Sequence, residues 1–137
     1  MNLAYPYTIE PQEGGGYFVQ FVDIEEAFTE GESPEAAAFN AVEVLSGVLA
    51  VRLMRGEDIP EPSPTDGRPT AIPSTDVQAA LLIHFARGER SLADLARAMG
   101  TSWPAAARLE NPRHWPTLKQ LDRAARALGK RLVLGME

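Results

Sequence analysis

At 137 residues, 45% apolar and 23% charged, the chain has an ordinary globular composition and length for one domain or two small ones. It has no cysteine, which excludes disulfides and thiolate metal sites, and its two histidines are too few for a His-rich metal centre. The net charge of −6 hides a split: residues 1–75 carry 3 Lys/Arg against 13 Asp/Glu, a balance of −10, and residues 76–137 carry 10 against 6, a balance of +4.

An acidic half beside a basic half points to two partners, one of them nucleic acid. In the acidic half, Leu3, Tyr5, Tyr7 and Ile9 alternate with smaller or polar residues, the period of a half-buried strand. Pro6 gives no N–H to a ladder, which places this strand at an edge or beside an irregularity. Gly14-Gly15-Gly16 is a turn, and Tyr17 to Val22 is a second strand with Tyr17, Val19 and Phe21 on one face. Ala27 to Thr29 is a short third strand. Ser33, Pro34 and Glu35 then mark a helix start, and Ala38, Val42, Leu45, Leu49 and Leu53 form its apolar stripe until Gly56 stops it. With one helix available, the second sheet face is solvated or covered by something else. Pro60, Pro62, Pro64, Pro69 and Pro73 read as a semi-rigid linker over 59–75, with an edge strand at 68–72.

The basic half, 76–137, is helical and closely punctuated. Asp76 to Arg87 ends at Gly88. Ser91 with Asp94 has capping-box spacing and opens a second helix that ends at Gly100. Thr101 or Ser102 caps a third, Ser102 to Glu110, with Pro104 in its first turn. Thr117 with Gln120 opens a fourth, closed by Gly129, and Lys130 to Met136 reads as a final strand with an exposed edge. No stretch approaches the roughly 20 apolar residues that span a bilayer. The N-terminus lacks the basic and apolar regions of a signal peptide, so the expected location is the cytoplasm, away from membranes.

Two short helices joined through a glycine and framed by two more form a helix-turn-helix arrangement. Ser91-Leu-Ala-Asp-Leu-Ala-Arg-Ala-Met-Gly100, with Arg108-Leu-Glu-Asn111, Thr117-Leu118 and Ala127-Leu-Gly129, resembles the Cro/C1-type (XRE) domain of phage repressors. Such a third helix lies in the major groove, its early residues aimed at base edges. By register Trp103, Pro104, Ala107 and Arg108 face outward, while Ala106 and Leu109 pack inward. The candidate DNA-binding residues are Ser102, Trp103, Ala107, Arg108, Arg113, His114 and Lys119; Arg108 is the one strong base reader, with Arg113, His114 and Lys119 on phosphates. The chain departs from the family at Trp103 and Pro104, where polar readers are usual. Trp103 either touches DNA, packs on a second subunit, or marks a domain that no longer reads bases. For His114 the default is a plain loop residue, for His84 a helix-surface or packing residue, and for Trp115 a small-core anchor.

In the acidic half, Tyr5-Pro-Tyr-Thr-Ile9, Gly15-Gly-Tyr-Phe-Val-Gln-Phe-Val-Asp-Ile24, Thr29-Glu-Gly-Glu-Ser33, the long helix and Asp58-Ile-Pro-Glu-Pro-Ser63 resemble a HicB-type antitoxin. Glu25 departs from that pattern, which often has proline there. The resemblance implies an α+β chain: a small, degraded RNase H-like sheet with one helix over residues 1–58, then an all-helical helix-turn-helix domain. It implies that the first domain binds HicA, a small basic RNA-cleaving toxin, and that the second represses the operon. Asp23, Glu25, Glu26, Phe28, Glu30 and Glu32 are the candidate toxin contacts; the plainer alternative is a solvated acidic face. The expected assembly is a homodimer or tetramer on a palindromic operator, with no cofactor.

A two-metal nuclease site needs carboxylates converging from separate strands, and only Glu10 and Asp23 lie near strand ends. The glycine run lacks the Gly-Lys-Ser/Thr ending of a phosphate cradle and is a hairpin turn instead. No Ser–His–Asp set has a supporting context, so no catalytic residue is assigned and a non-enzyme is expected. The competing function is a one-component regulator whose first domain senses a small molecule in an apolar pocket.

Overall fold

The computed structural model describes residues 1–137, an α+β chain with one four-stranded antiparallel sheet and five helices. Its contacts group into two compact units, Met1–Gln78 and Ala79–Glu137. In the first, β1 (Tyr5–Pro11) and β2 (Tyr17–Phe21) form a hairpin in which Tyr7 faces Phe21 and Pro11 faces Tyr17. The turn between them uses the left-handed backbone that glycine tolerates: Gly14, Gly15 and Gly16 have φ of 89°, 108° and 82°. β3 (Phe28–Gly31) pairs with β2, and β4 (Thr70–Ala71) with β1, giving the order β3-β2-β1-β4.

β1 is therefore an inner strand, not the edge that Pro6 suggested. The ladder closes around the proline: Tyr7 N–H donates to the Pro69 carbonyl at 3.0 Å, and Val22 N–H to the Pro6 carbonyl at 3.1 Å. α1 (Pro34–Arg55) covers one sheet face, capped by the Ser33 hydroxyl on Ala36 N–H and ended by Gly56 at φ 67°. Its buried stripe is Ala37, Ala41, Leu45 and Leu49, so Ala38 of the expected stripe faces solvent. The register is set where β3 ends: a side chain at Gly31 would run into the Ala37 backbone, its Cβ 2.7 Å from the Ala37 Cα. α1 also corrects the expectation about apolar stretches, being long and apolar enough to cross a membrane by length and composition. Core helices share those properties, and this one turns its inner face to the sheet.

The proline-rich strip read as a spacer is fastened to the first unit. The Tyr5 hydroxyl donates to the Pro60 carbonyl at 2.7 Å, Ser63 N–H to the Asp23 carboxylate at 2.9 Å, and Ser74 N–H to the Ser46 hydroxyl at 2.9 Å.

The remaining elements are α2 (Thr75–Arg87), α3 (Leu92–Met99), α4 (Trp103–Arg108) and α5 (Leu118–Ala127). Both expected capping boxes form, Ser91 with Asp94 and Thr117 with Gln120. Ile83, Leu95, Ala96, Ala106, Leu109, Ala124 and Leu128 make the core of the second unit. Trp115, expected to anchor that core, is instead 66% exposed. Lys130 to Met136 is not a strand: it has no regular secondary structure, because the second unit contains no strand to pair with it.

Candidate functional site

The sheet face opposite α1 carries no helix. Alternation along β2 sends Val19 and Phe21 into the core and leaves Phe18 and Gln20 on the open side, with Phe28 of β3 across from Gln20. Phe18 and Phe28 are 37% and 53% exposed, and their ring centres lie 6.1 Å apart at a 34° tilt. A contact pair of large aromatics kept in solvent costs hydration free energy unless a partner covers it.

Carboxylates surround this pair. Phe18, Gln20, Glu25, Glu26 and Phe28 line an open concavity of about 500 Å³. Glu10 and Glu30 both lie opposite Phe18 in the ladder, one on each neighbouring strand. The Gln20 amide lies 3.1 Å from the carbonyls of both Phe21 and Glu25 and 3.3 Å from that of Ala27, fastening the loop that presents Glu25. Sequence reasoning missed Phe18 and Gln20 as site residues, although the period-2 alternation already set them opposite Val19.

The six candidate contacts separate by environment. Glu25, Phe28 and Glu30 are exposed on or beside the open face. Glu32 lies at a second concavity, of about 610 Å³, shared with Glu30, Asn40 and the glycine turn. Asp23 is occupied internally, accepting from the Ser63 N–H and from the Ser63 hydroxyl. Glu26 receives a bidentate pair from Arg52, with Nε to Oε2 at 2.8 Å and Nη2 to Oε1 at 2.7 Å. That hydrogen bonding holds the Glu26 carboxyl down at about 2. Tyr5, whose hydroxyl holds the strip, is pushed well up by burial, with Asp23 and Glu61 adding to it.

In the second unit α3 and α4 are joined through Gly100, in the left-handed region at φ 67°. The Ser102 hydroxyl caps α4 by accepting from Ala105 N–H at 3.3 Å. Trp103 is 55% exposed, Pro104 and Arg108 are exposed and Ala107 is half-buried, while Ala106 and Leu109 are buried. After α4, the Asn111 side chain accepts from Arg113 N–H at 2.9 Å and its carbonyl accepts from His114 N–H at 3.0 Å, shaping the turn ahead of α5. Arg108, Arg113 and Lys119 lie on α4, this turn and the first turn of α5, all exposed and none paired with a carboxylate. His114 is half-buried in the turn.

One cluster went unread in the sequence. Glu110, just after α4, accepts from Arg87 at 2.6 and 2.9 Å and from His84 at 2.9 Å, fixing the end of α4 to α2.

Residues 4–81 match the family profile of the HicB-like antitoxin of bacterial toxin-antitoxin systems. Over 137 residues the chain is 35% identical to Antitoxin HicB of Escherichia coli strain K12, covering 98% of this chain and 99% of that one. It is 32% identical to Antitoxin HicB 1 of Photorhabdus laumondii, covering 99% and 88% respectively. Antitoxin HicB 2 of the same organism is 31% identical over 134 residues, or 97% and 96% of the two chains.

Proposed function

The chain belongs to the HicB-like antitoxins of bacterial toxin–antitoxin systems, and from that premise we propose a division of labour between its units. The acidic unit neutralises a small, basic, RNA-cleaving toxin of the HicA type, and the basic unit represses the operon encoding the pair. The exposed Phe18–Phe28 pair within a ring of carboxylates carries the first half of this reading. A protein that grips RNA presents cations, and an acidic surface with an aromatic centre meets it with both charge and buried area. We read the sheet and α1 as a partial RNase H-like fold that acts by covering the toxin, not by catalysis. The internal engagement of Asp23 by Ser63 and of Glu26 by Arg52 supports that.

For the second half, α3, Gly100 and α4 are read as a helix-turn-helix with α4 in the major groove. Arg108 reads a base, while Arg113, His114 and Lys119 hold phosphates. Repression requires two copies on a palindrome with half-sites about one helical turn apart. A ribonuclease and an operator as partners make the cytoplasm the proposed location.

The test is to tag the chain in its native host, purify it gently at low salt and weigh what accompanies it. The expected companion is a stoichiometric small basic protein that cleaves RNA once freed and stops when the chain is added back. Recovery of the chain alone, or of a companion without ribonuclease activity, counts against the toxin reading.

A further inference from the structure

The chain has two tryptophans, and both stand in solvent on the basic unit. Trp103 is the first residue of α4, and Trp115 lies in the turn between α4 and α5. Each is exposed over more than half its surface. Both are carried on constrained backbone. Trp103 stands between the Ser102 cap and Pro104, and Ser102 accepts from Ala105 N–H at 3.3 Å. Trp115 follows the turn closed by Asn111 and sits between Pro112, which is buried, and Pro116, which is half-buried. Large rings held in water on stiff backbone are prepared for a partner that presents a flat apolar surface.

We propose that the second unit binds single-stranded nucleic acid, with unpaired bases stacking on Trp103 and Trp115 while Arg108, Arg113 and Lys119 hold the phosphates. Charge selects this occupant: the three cations are exposed, none is paired with a carboxylate, and residues 76–137 carry 10 Lys/Arg against 6 Asp/Glu. Rings and cations alternate along the chain, as Trp103, Arg108, Arg113, Trp115 and Lys119, which is the mixture that a stacking platform for a polyanion needs. Paired DNA uses these rings poorly. In a duplex the base faces are stacked on one another and only their edges are open, and an indole has a single N–H to offer an edge. An unpaired base offers its whole face, and every base has one, so the binding tolerates any sequence. This ligand is additional to a duplex operator and draws on the same cations, so the two exclude each other.

Titration of the full chain at low salt with oligo-dT and oligo-U of about 12 nucleotides tests it, read by indole fluorescence and by anisotropy of an end-labelled strand. Binding should quench the indoles as bases stack on them. Trp103→Ala and Trp115→Ala should each raise Kd about tenfold, and Trp103→Phe and Trp115→Phe, which keep a ring, should recover most of that loss. An abasic strand of the same length keeps the phosphates and should bind more weakly than oligo-dT without quenching. A dT·dA duplex should likewise leave the indoles unquenched. Arg113→Ala should lower the salt slope by about 0.7 while leaving the quenching at saturation unchanged. Tighter binding of oligo-U than of oligo-dT names RNA as the source, and the reverse names single-stranded DNA. If the alanine variants failed to fold, the abasic comparison on wild type would still decide. An abasic strand bound as tightly as oligo-dT, a duplex that quenches as strongly, or folded alanine variants with unchanged Kd overturns the inference. So does a wild type that ignores both strands, which would leave the rings to a protein partner. None of these results bears on toxin neutralisation, which uses the other unit.

Discussion

Arg87 of α2 holds Glu110 at the end of α4 in a two-point grip, Nε to Oε2 at 2.6 Å and Nη2 to Oε1 at 2.9 Å, with His84 Nδ1 closing on Oε1 at 2.9 Å. The Glu110 side chain is only 11% exposed, so both charges are largely out of water and each needs the other. α4 has just six residues and no acidic group in its first turn, which leaves it little stability of its own. Glu110→Gln removes the charge but keeps the shape, stranding Arg87, and should cost the second unit about 3 kcal/mol in urea unfolding followed by circular dichroism.

The same carboxyl gives a pH signature. Burial alone would raise it, but the hydrogen bonds from His84 and Arg87 outweigh burial and hold it below its ordinary 4.5. A folded value below the unfolded one means stability that is whole above pH 4.5 and is lost as pH falls through the folded value. The stability gap between wild type and Glu110→Gln should therefore close in acid. A gap that widened below pH 4.5 would contradict the assignment.

Gly31 and Gly47 make opposite forecasts. A Cβ at Gly31 would collide with the Ala37 nitrogen and stand 2.7 Å from its Cα, backbone that cannot swing aside. Gly31→Ala should destabilise the first unit by about 2 kcal/mol or more, by forcing α1 off β3. Gly47 lies mid-helix on the exposed side of α1, where an added Cβ would find open space, with no atom within 4 Å. Gly47→Ala should stabilise by about 0.5–1 kcal/mol through the lower backbone entropy of the unfolded chain. Both are read from thermal or urea midpoints.

What could be read in advance divides along sequence separation. Ser33 with Pro34, Ser91 with Asp94 and Thr117 with Gln120 act within one helical turn, so their chemistry is local and the helices start where those residues say. The bonds that sort the acidic residues are not local. Asp23 reaches Ser63 across 40 positions, Glu26 reaches Arg52 across 26 and Glu110 reaches Arg87 across 23. No periodicity marks such pairs, so Asp23 and Glu26 looked as free as Glu25. Trp115 differs for a related reason: hydrophobicity alone does not say which residues the fold encloses, and the core built on Ile83, Leu95, Ala96, Ala106, Leu109, Ala124 and Leu128 forms without it.

The division between engaged and free carboxylates can be measured on the proposed toxin binding. Phe28→Ala trims an exposed ring, so it should leave stability intact while raising the toxin Kd at least tenfold, as for a central aromatic anchor. Glu25→Lys should act mainly on the association rate and weaken its dependence on salt. Asp23→Asn should do the reverse, loosening the strip at Ser63 by about 1–3 kcal/mol while barely changing the association rate. Surface plasmon resonance beside urea unfolding separates the three. If Asp23→Asn lost binding at unchanged stability, Asp23 would be a contact after all.

The proposed operator binding yields a last pair of contrasting variants. Arg108 is exposed on the outward side of α4, has no carboxylate partner and is a side chain long enough for a bidentate contact to guanine. Its neighbour Trp103 has a single indole N–H to donate and Pro104 no side-chain donor at all, so in the proposed operator complex the one bidentate readout from this helix rests on the Arg108 guanidinium. Arg108→Ala should cost about 1–3 kcal/mol and relax preference at a single base pair in each half-site. Lys119→Ala, at the start of α5, should weaken binding evenly across sequences and lower the salt slope by about 1. Gel shifts over a salt series with base-substituted operators distinguish the two. If Arg108→Ala weakened every sequence alike, Arg108 would be a phosphate contact, and specificity would have to come from the shape of the DNA.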